Sequence, residues 1–296
     1  MSAGFTLVET LIALVLTLLV TGSALALASP ASRASALQPE VMDIQQRARV
    51  AADVLTRELN TAGAGLAAHQ VPALLPLRLG SVRGDSAGTA RADAVTMLSV
   101  PVGAAETTTA AAMGPVTWSM TVSSSPTCMA VLCGWTAGAD VLVADASGRF
   151  DLFRITRVSG GAATLRPHGA PAAAYTAGAF VTAIVQRTFE RDAATAQLRV
   201  YDGDQSDQPV VDHVAALSFR YFAAAPGGGL VEVPLASLAD GPWVSAGSTR
   251  VDRDVFRIRL VRVALRAEAS AVKWQSLAPA LPLVMDIAPR ALSVGR

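Results

Sequence analysis

The residues able to do chemistry in this chain are few, and the most unusual is Glu9, a carboxylate at the mouth of an apolar run. It closes the hexapeptide Gly4-Phe5-Thr6-Leu7-Val8-Glu9. An ionisable residue there costs free energy unless it is paired, and so marks function. An acid at a helix N-terminus is also favoured by the macrodipole, which is the plainer reading of Glu9. Phe5 and Glu9 stand at i and i+4, on one helix face. Cleavage after Gly4 would give Phe5 a new α-amino group. That cation could neutralise Glu9 of a neighbouring subunit inside an apolar assembly, and Gly4 offers a protease an unhindered residue.

Other candidates are sparser. Cys128 and Cys133 are the chain's two cysteines, and no histidine lies near them in sequence. Two thiols alone are too few for a metal site. His69, His168 and His213 share no spacing and read as surface or turn residues. Trp243-Val244-Ser245-Ala246-Gly247 is a faint match to a nucleophile elbow, without the leading glycine or a strand-to-helix setting. Asp202-Gly203-Asp204-Gln205-Ser206-Asp207 offers the oxygen ligands calcium takes, but it departs from the EF-hand pattern and Asp-Gly is first of all a turn. With no Gly-rich phosphate loop and no basic–aromatic stripe, the expectation is a non-enzyme without cofactor or metal.

Composition narrows the class. The chain is 52% hydrophobic and 16% charged, which disfavours disorder. A net charge of +1 gives no reason to expect a nucleic-acid partner. Thr10 through Ala28 holds no charged residue. As a helix it would rise about 28 Å, close to the hydrocarbon thickness of a bilayer. It also lacks the polar face of a soluble core helix.

Pro30 and Pro39 follow, and each should kink or break a helix. From Glu40 a helical stripe resumes through Val41, Ile44, Ala48, Ala51, Ala52, Leu55, Leu59 and Ala62. Asp43 with Arg47, and Asp53 with Arg57, are placed to pair at i and i+4. Gly63 and Gly65 supply the stop. Beyond Gly65 short apolar runs alternate with turn residues, which predicts strands over Ala94–Val100, Val116–Val122, Asp140–Ala144, Phe150–Val158, Ala163–Arg166 and Ala179–Phe189. Further strands are expected over Gln197–Tyr201, His213–Phe222, Leu230–Pro234 and Val255–Ala267, with turns at 145–148 and 191–194. The last strand changes its apolar phase by one residue, as a β-bulge would. Residues 104–114 read as a flexible loop.

Gly4-Phe5-Thr6-Leu7-Val8-Glu9, followed by Thr10-Leu11 and the apolar helix, closely resembles the type III signal sequence of type IV prepilins and pseudopilins. The resemblance implies cleavage after Gly4 by the prepilin peptidase, N-methylation of Phe5, and a role for Glu9 in assembly. Met1-Ser2-Ala3 departs from the family in lacking a basic residue, so orientation rests on the start amine. Ile44-Gln45-Gln46-Arg47, the segment 52–59, the stretch 210–221 and the Arg-rich 254–263 are similar to PilW-type minor pilins. The helix is similar as well to the J-class pseudopilin of type II secretion.

The implied fold is α+β and pilin-like: a leader over 1–4, a transmembrane or filament-core helix over 5–29, an amphipathic stalk over 30–65 and a β-rich periplasmic head over 66–296. The implied partners are the prepilin peptidase/N-methyltransferase, other minor and major pilins and the inner membrane, with the head periplasmic until the subunit enters a pilus. In an exported head, Cys128 and Cys133 are expected to form a disulfide that pins a small loop. A rival from another class is a secreted binding protein or adhesin cut after Ala28, where Ala26-Leu27-Ala28 fits an ordinary signal-peptide site. That reading leaves Glu9 unexplained.

Overall fold

The computed structural model describes residues 6–66, 71–86, 88–114, 118–168, 174–243, 251–270, 275, 278 and 280–293. The chain is α+β. Helix α1 (Leu7–Thr61) is one unbroken element of 55 residues. The interruption expected at Pro30 and Pro39 does not split it. Each proline removes one backbone hydrogen bond, at roughly 3 kcal/mol. The helix stops where expected: Ala62 caps it and Gly63 takes φ 79°, a conformation that favours glycine.

The described strands form three antiparallel sheets. The five-stranded sheet orders β1 (Leu74–Leu75), β2 (Ala94–Ser99), β9 (Val185–Asp192), β10 (Gln197–Tyr201) and β11 (Asp207–Val211). The four-stranded sheet runs β13 (Leu230–Val233), β12 (Val214–Ala224), β14 (Ile258–Ala267) and β15 (Leu281–Ile287). The six-stranded sheet runs β3 (Glu106–Thr108), β8 (Phe180–Ala183), β5 (Asp140–Ala144), β6 (Phe150–Ser159), β7 (Ala162–Pro167) and β4 (Ser119–Met120).

Three expectations need correction. The strand expected over 179–189 is two strands in different sheets. The chain crosses at Ile184, whose N–H donates to Asp140 O at 3.0 Å. β8 pairs with β3 and β5, and β9 with β2 and β10. No glycine or proline marks the crossing, so the run reads as continuous. Arg253–Arg257 is a 3-10 turn rather than strand, held by the Asp252 side chain accepting from Asp254 N–H. The bulge itself is present, since Phe222 faces Leu260 and Ala223 faces Ile258, leaving Arg259 extra. Residues 104–114 are not a free loop: they contain β3, and Thr109 bridges Val122. Of the strand expected over 116–122, residues 118–122 are described, and only Ser119–Met120 form a strand, β4. Strands β1, β11 and β15 and the short helix α2 (Arg290–Ser293) were not anticipated.

Two apolar clusters hold the head. In the larger, Ile44, Ala48, Ala51, Leu55 and Leu59 of α1 are at most 3% exposed. They pack on a core shared by the five- and four-stranded sheets and one face of β5 and β6. Asp43 pairs with Arg47 as expected, and Glu58 with Arg187 of β9, which ties the helix to the sheet. The Asp53–Arg57 pair does not form. The second cluster lies on the other face of the six-stranded sheet, where Val141, Val143, Phe153 and Ile155 meet Met113, Met120, Leu132 and Tyr175. Tyr175 O–H donates to the buried Asp151 at 2.7 Å, and burial together with that carboxylate pushes the phenol above its usual range.

Candidate functional site: the N-terminal helix and the polar hub of the head

The first part of α1 stands clear of the head. Leu7–Leu27 is apolar and long enough to cross a membrane, with none of it buried. A soluble core helix of this composition would be covered. Its hydroxyls are satisfied within the helix. Thr10 donates to Leu7 O at 2.9 Å, Thr17 to Ala13 O at 2.7 Å, Thr21 to Thr17 O at 2.7 Å and Ser23 to Val20 O at 2.8 Å. A lipid-exposed segment needs that internal satisfaction, because no water is present to supply it.

Thr6 caps the helix. Its side-chain oxygen accepts from Glu9 N–H at 3.3 Å, which makes Glu9 the third helical residue. Thr6-x-x-Glu9 is the sequence pattern of a capping box. Glu9 is exposed, and among the described residues it has no ion-pair partner. Gly4 and Phe5 lie outside the described residues.

Cys128 and Cys133 are joined, with Cα atoms 4.4 Å apart, and close the loop expected of them. Leu132 inside that loop is 2% exposed and anchors it in the second cluster.

The most organised polar group in the head is one the sequence did not reveal. Arg154 of β6 reaches Asp140 of β5 through two bonds of 2.8 and 2.6 Å and Asp204 at 2.6 Å. Arg166 of β7 also pairs with Asp204, whose side chain is 2% exposed. Burial alone would raise the Asp140 carboxyl, but hydrogen bonds from Arg154 and His168 outweigh it and hold it below the usual range. His168 is buried, a correction to its reading as a surface residue. Its Nε2 lies 2.7 Å from Asp140 Oδ1 and its Nδ1 3.0 Å from Gly203 O.

The acidic turn 202–207 is thereby spoken for. Asp204 and Asp207 are held by arginines, and Asp202 accepts from the backbone of Asp204 and Ser206. Among the described residues no group of three or more His, Cys, Asp or Glu is placed to hold a metal ion. A cleft of about 460 Å³ beside the hub is lined by Val54 and Glu58 of α1 and by Arg154, Arg187 and Val200. His213 is half-buried just before β12 with φ 56°, so the strand expected from His213 begins one residue later. His69 and residues 244–247 of the faint elbow lie outside the described residues. Comparison with family models, curated proteins and solved structures finds no match to this chain.

Proposed function

We propose that this chain is a type IV pilin-type subunit, most like a minor pilin, processed after Gly4 and inserted in the inner membrane with its head outside. The observation that carries the reading is α1. One helix holds an exposed apolar half, Leu7–Leu27, and a second half whose stripe is packed into the head. A secretory signal cut after Ala28 would sever this element mid-helix, whereas cleavage after Gly4 leaves it whole. The hexapeptide Gly4–Glu9 is the sequence counterpart of that arrangement.

In this reading the mechanism is assembly and no bond chemistry is done by the subunit. The apolar half passes from bilayer to filament core, and Phe5 and Glu9 set its register against neighbours. The head presents its surfaces to other pilins.

N-terminal mass spectrometry of the mature protein tests the reading. A start at N-methylated Phe5 is expected, and a start at Ser29 overturns it. Glu9→Ala should be cleaved normally but assemble poorly, and normal filament numbers in that mutant would remove the role given to Glu9. Deletion separates the two machines: loss of surface pili fits a minor pilin, and loss of protein secretion fits the J-class pseudopilin.

A further inference from the structure

Between Arg253 and Arg266 the chain holds five arginines and a single acid, Asp254. Elsewhere the head answers its arginines with carboxylates: Arg78, Arg91, Arg154, Arg199, Arg220 and Arg262 each reach one within 3.0 Å. Arg253 and Arg259 are different. Among the described residues neither has a carboxylate partner, and Arg257 takes Asp254 at 2.9 Å.

Local structure gathers these three arginines. With Asp254, Phe256 and Ala224 at the end of β12, they line a hollow of about 320 Å³. Arg259 is the extra residue of the β14 bulge, and a bulge re-aims the side chain it inserts. Its Nη1 donates to Phe256 O at 3.2 Å and to Ile258 O at 3.1 Å. Those bonds orient the guanidinium and leave its Nε and Nη2 for a ligand. The 3-10 turn beside it is held as well. Buried Asp252 accepts from Gly241 N–H and Asp254 N–H, and Arg253 N–H donates to Pro242 O at 3.0 Å. The exposed Arg253 side chain stays uncommitted.

The hollow lies at the end of the head farthest from the apolar half of α1. Just past the end of β14, Glu268 O accepts from Arg47 at 3.2 Å. Midway, Val263 faces Met285 of β15, whose Sδ is 3.9 Å from the Thr56 hydroxyl. The start of β14 therefore lies toward the C-terminal end of α1. From Leu27 to Arg47 the helix already rises about 30 Å. The headgroups of a bilayer holding Leu7–Leu27 are thus out of reach of this hollow.

Three guanidiniums less one carboxylate leave a charge of +2, and a phosphate group carries close to two negative charges at neutral pH. Guanidinium forks match its oxygens in pairs, and its tetrahedral shape offers acceptors to three donors at once. We propose that this hollow binds a phosphate group carried by a soluble molecule, with Arg253 and Arg259 as its uncompensated cations and Arg257 as the third donor. The proposal rests on the head alone and holds however the N-terminus is processed.

The test titrates sodium phosphate into the full chain in maltoside micelles, at neutral pH and fixed ionic strength, and follows the heat of binding against a sodium chloride control. Saturable binding with a Kd on the order of 1 mM is expected. Arg259→Gln and Arg253→Gln should each weaken it about tenfold, as loss of a charge-assisted hydrogen bond does. Arg266→Gln, an exposed arginine of the same strand outside the hollow, should leave it unchanged. Asp254→Asn removes the competing acid and should tighten binding about threefold, which a merely structural role would not do. Melting temperatures in chloride show which variants are folded. Arg253→Gln keeps the test decisive if Arg259→Gln does not fold, because the Arg253 side chain holds nothing else. No binding above the chloride control, equal loss in Arg266→Gln, undiminished binding in a folded Arg253→Gln chain, weaker binding in Asp254→Asn, or binding to phosphatidylglycerol in mixed micelles without binding of free phosphate would overturn the proposal.

Discussion

Leu55→Ala tests whether the second half of α1 is part of the head's core or merely beside it. Leu55 is 0% exposed and sits mid-stripe between Ala51 and Leu59, both also fully covered. The change removes three carbons, at about 0.8 kcal/mol each. The hole left behind adds to this, because packed surroundings relax only in part, and the total comes to about 3 kcal/mol. With a urea slope of about 2 kcal/mol per molar, the unfolding midpoint should fall by about 1.5 M. The assay is urea titration of the full chain in detergent micelles, followed by far-UV circular dichroism and tryptophan fluorescence. Of the chain's four tryptophans, Trp118 and Trp135 pack on the second cluster, away from the helix, so with Trp243 and Trp274 replaced by phenylalanine a matched fall in both signals reports one cooperative head. Val50→Ala is the control: Val50 is 37% exposed on the same helix and should move the midpoint by under about 0.25 M. A Leu55→Ala shift no larger than that of Val50→Ala would refute the packing argument.

Gly63→Ala should destabilise the protein more than Gly228→Ala. Both glycines have positive φ, but an added Cβ at Gly63 would meet Ala73 Cβ at 2.6 Å while Gly228 faces open space. Thermal melts of the two variants compare them, and equal losses would mean backbone strain alone is felt. For Asp140 the folded carboxyl lies below its unfolded value of about 4. Its stabilisation is therefore present above that unfolded value and lost as pH falls through the folded one. The acid limb of a melting-temperature profile should be flatter in Asp140→Asn, and a limb parallel to the parent's would count against the hub. Replacing both cysteines by serine should cost at most about 2 kcal/mol for so short a ring. Its main effect should be proteolytic nicking near 128–134, read by limited proteolysis.

Legibility followed how local the cause was. Asp140–Ala144 and Gln197–Tyr201 match their strands because alternation and flanking turns lie within a few residues. The helix stop at Gly63 was equally local. The crossing at Ile184 was invisible, since a strand that changes sheet keeps its apolar rhythm while its partners change. β15 escaped because its alternation of half-buried and exposed residues includes Pro282, which reads as a breaker. The hub was hidden for a different reason. Asp140, Arg154, Arg166, His168 and Asp204 come from β5, β6, the end of β7 and the turn after β10, so only tertiary folding assembles them. The acidic turn was noticed for its oxygens, yet the cations that answer it are arginines from other strands.

The same distinction bears on Glu9. Every hydroxyl-bearing residue of Leu7–Leu27 donates to a carbonyl of its own helix, so those groups need nothing from a neighbour. Moving such a helix from lipid into a bundle of like helices gains little from apolar burial, because lipid is as apolar as leucine. Packing and any charge left unsatisfied must then decide where the helix settles. Within Leu7–Leu27 the one charged residue is Glu9. Its backbone N–H is answered by Thr6 while its carboxylate has no partner among the described residues. Under the proposed function, the neighbour's α-amino group at Phe5 is the cation of matching position. Glu9→Gln then discriminates between two causes. It keeps the size and the helix-capping competence of the side chain and removes only the charge. Assembly should fail in Glu9→Gln as in Glu9→Ala if pairing sets the register, and should persist in Glu9→Gln if Glu9 serves only to start the helix.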